Sequence, residues 1–142
     1  MRYDAGDMAT KSTAVERARA AEPGMLVLLC LAAWVVPGAG HLWMGRRQKG
    51  IIFLLAIPAM FLAGLLMHGR IFPFDWTEPL VGLAAVANLG TGAPWLLARM
   101  VEAGSGTVTA VTYEYGNSFL IVAGLLNSLV VLDAFDIGMG RK

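Results

Sequence analysis

The first two long apolar runs of the chain are separated by the stretch PGAGHLWMGRRQKG, residues 37–50. The run before it is MLVLLCLAAWVV, residues 25–36, and the run after it is IIFLLAIPAMFLAGLLM, residues 51–67. Two apolar runs joined by a short basic turn are typical of a helical hairpin in a membrane, because roughly 20 helical residues span the hydrocarbon core of about 30 Å. The stretch therefore predicts a chain that folds in lipid.

The composition supports a membrane protein and argues against several other classes. Hydrophobic residues make up 57% of the 142 residues and charged residues 15%, whereas soluble domains are about 25% charged. The net charge of +1 gives no field that would attract nucleic acid. Cys30 is a single cysteine without metal-ligand spacing around it. We therefore expect the lipid bilayer as a partner, and no nucleic acid, metal or cofactor.

The apolar runs predict an all-α integral membrane protein with four transmembrane helices, arranged as two helical hairpins. The third run contains NLGTGAP, residues 88–94, and a helix is not expected to pass straight through two glycines and a proline. This break could expose helix ends to a ligand. We favour a kink at which small residues let neighbouring helices approach closely. The predicted spans are Met25–Met44, Ile51–Met67, Leu80–Met100 and Phe119–Ile137.

The remaining segments are predicted to lie outside the bilayer core. Residues 1–23 form a polar tail, with a capping box at Thr13–Glu16 and a short surface helix before Pro23. Residues 24–69 form the first hairpin, residues 70–79 an aromatic interfacial loop, and residues 80–142 the second pair of spans with an extramembrane loop at 101–117. Alternation over Thr107–Tyr115 predicts a short strand or hairpin there. A cleaved signal peptide is the alternative for the first run, but no Ala-x-Ala site follows it.

The stretch at 37–50 resembles the signature of the two-transmembrane-helix (TM-two) domain family, roughly Pro-Gly-x-Gly-His-x-aromatic-x-Gly followed by a basic turn. Trp43 stands where tyrosine is more usual, and the turn lacks the acidic residue often found there. The resemblance covers residues 25–67, and the remainder is similar to uncharacterised bacterial proteins that add two further spans. It implies a part in signalling or membrane-protein assembly, with the turn on the cytoplasmic side. The matching residues are Pro37, Gly38, Gly40, His41, Trp43, Gly45, Arg46, Arg47 and Gly50.

Four spans determine which polar residues can meet. His41 would lie at one face of the membrane and Asp133 at the other, so that this pair is excluded. Asp133 and Asp136 lie three residues apart, on one helix face. His68 and Arg70 are their expected partners, either in a proton or ion relay or, as we favour, in a structural ion pair that anchors the end of the span.

The other polar residues within the apolar runs have both functional and structural interpretations. His41 could switch its charge near neutral pH or bind a metal. We favour a histidine that is hydrogen-bonded to backbone left open by Pro37, because no second ligand lies nearby. The intramembrane polar residues that remain are Asn88, Thr91 and Asn127.

No catalytic set is recognisable, so we do not expect an enzyme. We expect a non-catalytic accessory or scaffold subunit of a larger membrane protein complex, such as an energy-transducing one, packing through small-residue faces that include Gly124 with Ser128. The alternative is a small transporter or channel that uses the broken third helix and Asp133. We expect a multi-pass protein of the bacterial plasma (inner) membrane. Seven Lys and Arg residues on the side of the termini, against four on the other, favour cytoplasmic termini.

Overall fold

The computed structural model of the protein describes residues 6, 8–11 and 22–141. The predicted capping box and surface helix over residues 13–21 lie outside this part. From Glu22 onward the chain is all-α, as predicted, and the described residues contain no strand. Its helices are α1 (Pro23–Val35), α2 (Ala39–Trp43), α3 (Arg47–Leu66), α4 (Pro79–Leu89), α5 (Ala93–Met100) and α6 (Tyr113–Gly138).

Two helices form the frame of the molecule. α3 has 20 residues and α6 has 26, and both are long and apolar enough to cross a membrane. They pack antiparallel, because Lys49 near the start of α3 lies 3.6 Å from Asp133 near the end of α6. At the opposite end, a Cβ atom on Gly116 would lie only 2.6 Å from the Gly69 nitrogen. We call the end that contains Arg46–Lys49 the basic end, and the end that contains residues 67–78 and 101–112 the loop end.

The first apolar run does not form the predicted span over Met25–Met44. α1 has 13 residues, which rise about 20 Å, and it ends at Val35. Pro37 has no backbone donor, and Gly38 adopts a positive φ of 84° that reverses the chain. α2 then returns along α1, since a Cβ atom on Gly40 would lie 3.0 Å from the Ala33 Cβ. α1 and α2 therefore form a tight hairpin, hereafter the first hairpin.

The first hairpin belongs to the basic end. A Cβ atom on Gly138, the last residue of α6, would lie 2.8 Å from a methyl group of Leu26. The other end of α1 lies at Asn127, whose side chain donates to the Trp34 carbonyl oxygen at 3.0 Å. Asn127 is near the middle of α6, so the first hairpin begins at the basic end, reaches half-way along the molecule and returns.

The third apolar run forms a second hairpin from the opposite direction. α4 and α5 are bent by 107° at the break between them, which confirms that no helix passes straight through the Asn88–Pro94 stretch. The chain leaves α5 at the loop end, where the backbone N–H of Ile71 donates to Gly104 at 2.8 Å. Since the break itself lies beside the middle of α6, the second hairpin begins at the loop end, reaches the same depth and returns.

The structure therefore offers fewer candidate spans than the four predicted. α3 and α6 qualify singly, and α4 with α5 could count as a third if the bent pair is one span. α6 begins at Tyr113, six residues before the predicted start of the fourth span. Length and hydropathy cannot distinguish a span from a hairpin of two half-length helices, because both need a similar number of apolar residues.

The loop between α5 and α6 contains no strand, so the strand predicted over Thr107–Tyr115 is wrong. The backbone instead makes consecutive turns, with Ala110 donating to Thr107 and Tyr113 donating to Ala110. The described residues contain one isolated β-bridge, between Arg70 and Ser105. Residues 107–115 have no partner strand with which to form a stable sheet.

Candidate functional site

The structure brings His41 and Asp133 together, so the sequence-based exclusion of this pair is wrong. Nε2 of His41 lies 2.9 Å from Oδ2 of Asp133. The exclusion assumed a first span that crosses the membrane, whereas the first hairpin returns His41 to the basic end. Lys49 Nζ lies 3.6 Å from the same carboxylate oxygen.

His41 is fixed tightly by its surroundings. Its side chain is fully buried, and its ring contacts Phe53 edge-on, with centroids 5.2 Å apart. One hydrogen bond joins Nε2 to the side chain of Asp133. Nδ1 has no hydrogen-bond partner within the part of the chain that the structure describes. The hydrogen bond therefore connects the first hairpin to α6.

The other predicted ion pairs are not formed. Asp136 pairs instead with Arg141, with 3.4 Å between Nη1 of Arg141 and Oδ1 of Asp136. This pair is exposed, near the carboxyl end of the described residues. His68 and Arg70 lie at the loop end, the length of α6 away from both aspartates. The backbone N–H of Arg70 donates to the side chain of Asn117 at 2.7 Å, so this residue supports the loop.

The motif at 37–50 builds the return of the first hairpin. Gly38 combines a positive φ with a close approach to α3, since a Cβ atom there would lie 3.1 Å from the Leu54 nitrogen and would overlap the Gly50 carbonyl oxygen. A Cβ atom on Gly50 would in turn lie 2.6 Å from the Leu42 side chain. Trp43 is 55% exposed. Arg46 and Arg47 lie at the start of α3, and Gly45 turns the chain into it with a φ of 78°.

The tips of the two hairpins meet at a second polar site, which we call the central junction: Trp34, the segment Asn88–Gly92, and Asn127. Asn127 Nδ2 donates to the carbonyl oxygens of Trp34 at 3.0 Å and Gly90 at 2.8 Å. The indole N–H of Trp34 donates to the Leu89 carbonyl oxygen at 3.1 Å. These bonds satisfy backbone acceptors at the ends of α1 and α4 that lipid could not hydrogen-bond.

Three side chains at the central junction also carry polar atoms without a protein partner. Asn88, Thr91 and Asn127 are fully buried. Neither polar atom of the Asn88 amide has a hydrogen-bond partner among the described residues, and the same is true of Thr91 Oγ1 and Asn127 Oδ1. The sequence had identified all three residues. It had not identified Trp34, although an indole N–H within an apolar run signals the need for an acceptor.

The small residues around the central junction pack within the chain. A Cβ atom on Gly90 would lie 2.7 Å from both the Gly124 carbonyl oxygen and the Ser128 hydroxyl, and one on Gly124 would overlap the Ala87 carbonyl oxygen. The predicted use of Gly124 with Ser128 as a partner-facing surface is therefore wrong on the side of Gly124, because α4 already covers it.

An apolar groove of about 680 Å³ lies between α1 and α6 in the half of the molecule at the basic end. Cys30 and Ser128 are small side chains in its lining, and Trp34 is the lining residue of α1 nearest the middle of the molecule. The groove is open to the outside, and its remaining lining side chains include Leu26, Val27, Leu31, Val131, Leu132 and Phe135.

Within residues 6, 8–11 and 22–141, no group of three or more His, Cys, Asp or Glu residues could hold a metal ion. The family comparison matches residues 28–142, a range that contains most of the first hairpin, all of the second, the His41–Asp133 pair and the central junction. The chain belongs to the family DUF6677. DUF6677 is described as a family of unknown function. No curated protein and no solved structure matches the chain, so the DUF6677 match assigns membership but no activity.

Proposed function

We propose that this protein is a non-catalytic accessory or scaffold subunit that packs against other proteins of the bacterial plasma membrane. The observation that supports this proposal is the apolar groove between α1 and α6. Its small side chains Cys30 and Ser128 would allow a second helix to approach closely, as small residues do at helix interfaces in lipid. The proposed occupant is an apolar transmembrane helix of a partner subunit. The resemblance of residues 25–67 to the TM-two domain family supports a role in assembly.

Photo-crosslinking from inside and outside the groove tests this proposal. A photoreactive phenylalanine at Leu31, which lines the groove and is 50% exposed, should give one defined protein adduct in native membranes. The matched position is Leu62 on α3, which is 55% exposed and outside the groove, and it should give lipid adducts only. Val27→Trp, which fills the groove, should abolish the Leu31 adduct. Equal adducts from both positions, or an adduct that survives Val27→Trp, would contradict the proposal.

A second candidate function is a small transporter. It is favoured by the two hairpins, which run into the molecule from opposite ends and meet half-way, as the discontinuous helices of inverted-repeat transporters do. Ion flux into liposomes tests this candidate. Asp133→Asn removes the charge and leaves an amide oxygen that can accept the His41 hydrogen bond, so it should abolish flux without unfolding the protein. No flux through the unmodified protein would reject transport, and a flux unchanged by Asp133→Asn would reject the role of Asp133 in it.

We propose that α3 and α6 span the membrane with the basic end in the cytoplasm. Of the Lys and Arg residues in 22–141, four lie at the basic end, namely Arg46, Arg47, Lys49 and Arg141, and two lie at the loop end, Arg70 and Arg99. The positive-inside rule then favours a cytoplasmic basic end. From the sequence, the orientation of the TM-two hairpin turn opposed the charge count. The family's usual orientation of the turn and the positive-inside count agree once the turn and the carboxyl end of α6 lie at the same end of the molecule.

A further inference from the structure

We propose that the central junction binds a monovalent inorganic cation, Na⁺ or K⁺, between the tips of the two hairpins. This inference goes beyond the proposed scaffold function and does not depend on it. It rests on three features of the junction: the direction of the helices that end there, the unpartnered oxygen atoms, and the absence of charged side chains from the residues that form it.

Two helices present their carboxyl ends to the same point. α1 ends at Val35 and α4 ends at Leu89, and the Trp34 indole donates directly to the Leu89 carbonyl oxygen at 3.1 Å. Each helix end carries a partial negative charge of about half an elementary charge. The amino end of α5, which begins at Ala93, lies at the same point and opposes this charge in part. The two carboxyl ends meet half-way along α6, away from both ends of the molecule, where water screens their charge little.

The side chains around these helix ends add neutral oxygen ligands. Asn127 uses its Nδ2 group on the carbonyl oxygens of Trp34 and Gly90, which leaves Oδ1 free and fixes the amide orientation. Thr91 Oγ1 and Asn88 Oδ1 likewise have no partner among residues 22–141. All three side chains are fully buried, and a buried polar atom without a partner costs about 1–3 kcal/mol. A cation bound among them would provide the partner that these oxygen atoms lack.

The ligand set selects the class of cation. The residues that form the junction are Trp34, Asn127 and the segment Asn88–Gly92, which contains no carboxylate, histidine or cysteine. Divalent and transition-metal ions bind carboxylate, imidazole or thiolate ligands. Amide, hydroxyl and carbonyl oxygens at a helix end suit Na⁺ or K⁺, as in transporters with discontinuous helices. The Asn88 Nδ2 donor is the group that would bind a water molecule in the cation's shell.

Thermal unfolding of the purified full-length protein in detergent tests the site. The midpoint should rise with added NaCl or KCl and saturate, whereas choline chloride at equal ionic strength should leave it unchanged, because only a ligand that prefers the folded state shifts unfolding. Thr91→Val, which removes one oxygen ligand at nearly constant volume, should weaken the apparent cation affinity by about tenfold or more. Thr91→Ser should restore it.

Ser128→Ala is the matched control, because the Ser128 hydroxyl already donates to the Gly124 carbonyl oxygen at 3.0 Å, and it should leave the cation response intact. Line broadening of the sodium-23 NMR signal by the unmodified protein is a second measurement of Na⁺ binding, and it requires no variant. Equal midpoints in NaCl, KCl and choline chloride would show that the junction holds no such cation. A Thr91→Val protein with the full cation response would place the site elsewhere. Both readings are independent of the groove crosslink and of ion flux.

Discussion

At the scale of single residues, the interior of this protein is organised by a few hydrogen bonds that connect broken helices. Asn127 supplies donors to both hairpin tips, and His41 connects the first hairpin to Asp133 of α6. In lipid such bonds carry more weight than on a water-exposed surface, because an unpaired backbone carbonyl has no solvent partner.

Asn127→Leu should destabilise the folded protein by about 2–4 kcal/mol, because it leaves the carbonyl oxygens of Trp34 and Gly90 without this donor and each buried loss costs about 1–3 kcal/mol. The measurement is denaturant-induced unfolding in detergent. Ser118→Ala on the same helix is the control, since the Ser118 hydroxyl is exposed and bonds to Glu114 in its own helix. A stability loss from Asn127→Leu no larger than that of the control would refute this role.

Asp133→Leu should cost about 1–3 kcal/mol, because it leaves Nε2 of the buried His41 side chain without its hydrogen-bond partner. Asp136→Leu should change stability by less than about 1 kcal/mol, because the Asp136–Arg141 pair is largely exposed. The same unfolding measurement compares the two variants. Equal losses from both would mean that the His41–Asp133 bond contributes nothing specific.

At the scale of the elements, the first hairpin depends on a turn that permits neither a side chain nor a negative φ. Gly38 has a φ of 84°, and the backbone of α3 lies against the position that its Cβ would occupy. α2 has five residues and is too short to be stable by itself, so its position depends on this turn and on the contacts of Gly40 and His41 with α6.

Gly38→Ala should therefore lower the free energy of unfolding by about 1–3 kcal/mol or more, and the unfolding midpoint with it, since a strained φ and a backbone overlap act together. Gly24→Ala is the matched variant, because a Cβ atom at Gly24 has open space around it and alanine favours the helix by about 0.5–1 kcal/mol. We expect the two substitutions to have opposite signs in a thermal melt. A harmless Gly38→Ala would mean that the chain does not turn there as described.

At the scale of the whole molecule, two units follow one another in opposite orientation. Each unit is a half-length helix, a glycine- and proline-containing tip, a shorter returning helix and a long helix. The first unit ends with α3 and the second with α6. The units begin at opposite ends and meet at the central junction, which explains why buried polar side chains concentrate at mid-depth.

Part of this architecture could be predicted from the sequence. Composition and hydropathy predict the all-α class and both long helices, and glycine with proline predicts the break at Gly90–Pro94. The return of α2 could not be predicted, because Pro37 and Gly38 are as compatible with a kinked span as with a reversal. Contacts with Ala134 and Asp133, far along the chain, decide between these alternatives. The error over His41 and Asp133 followed directly from the assumed number of spans.

Labelling of single cysteines with a membrane-impermeant maleimide tests the arrangement most directly. In a Cys30→Ser background, the exposed residues Gln48, Thr109 and Arg141 are replaced by cysteine one at a time, and sealed vesicles of known orientation are treated from outside. Two hairpins that return to their own ends predict that Gln48→Cys and Arg141→Cys react from one side and Thr109→Cys from the other. Four complete spans predict that Gln48→Cys and Thr109→Cys react together and Arg141→Cys from the opposite side, and that pattern would contradict the arrangement described.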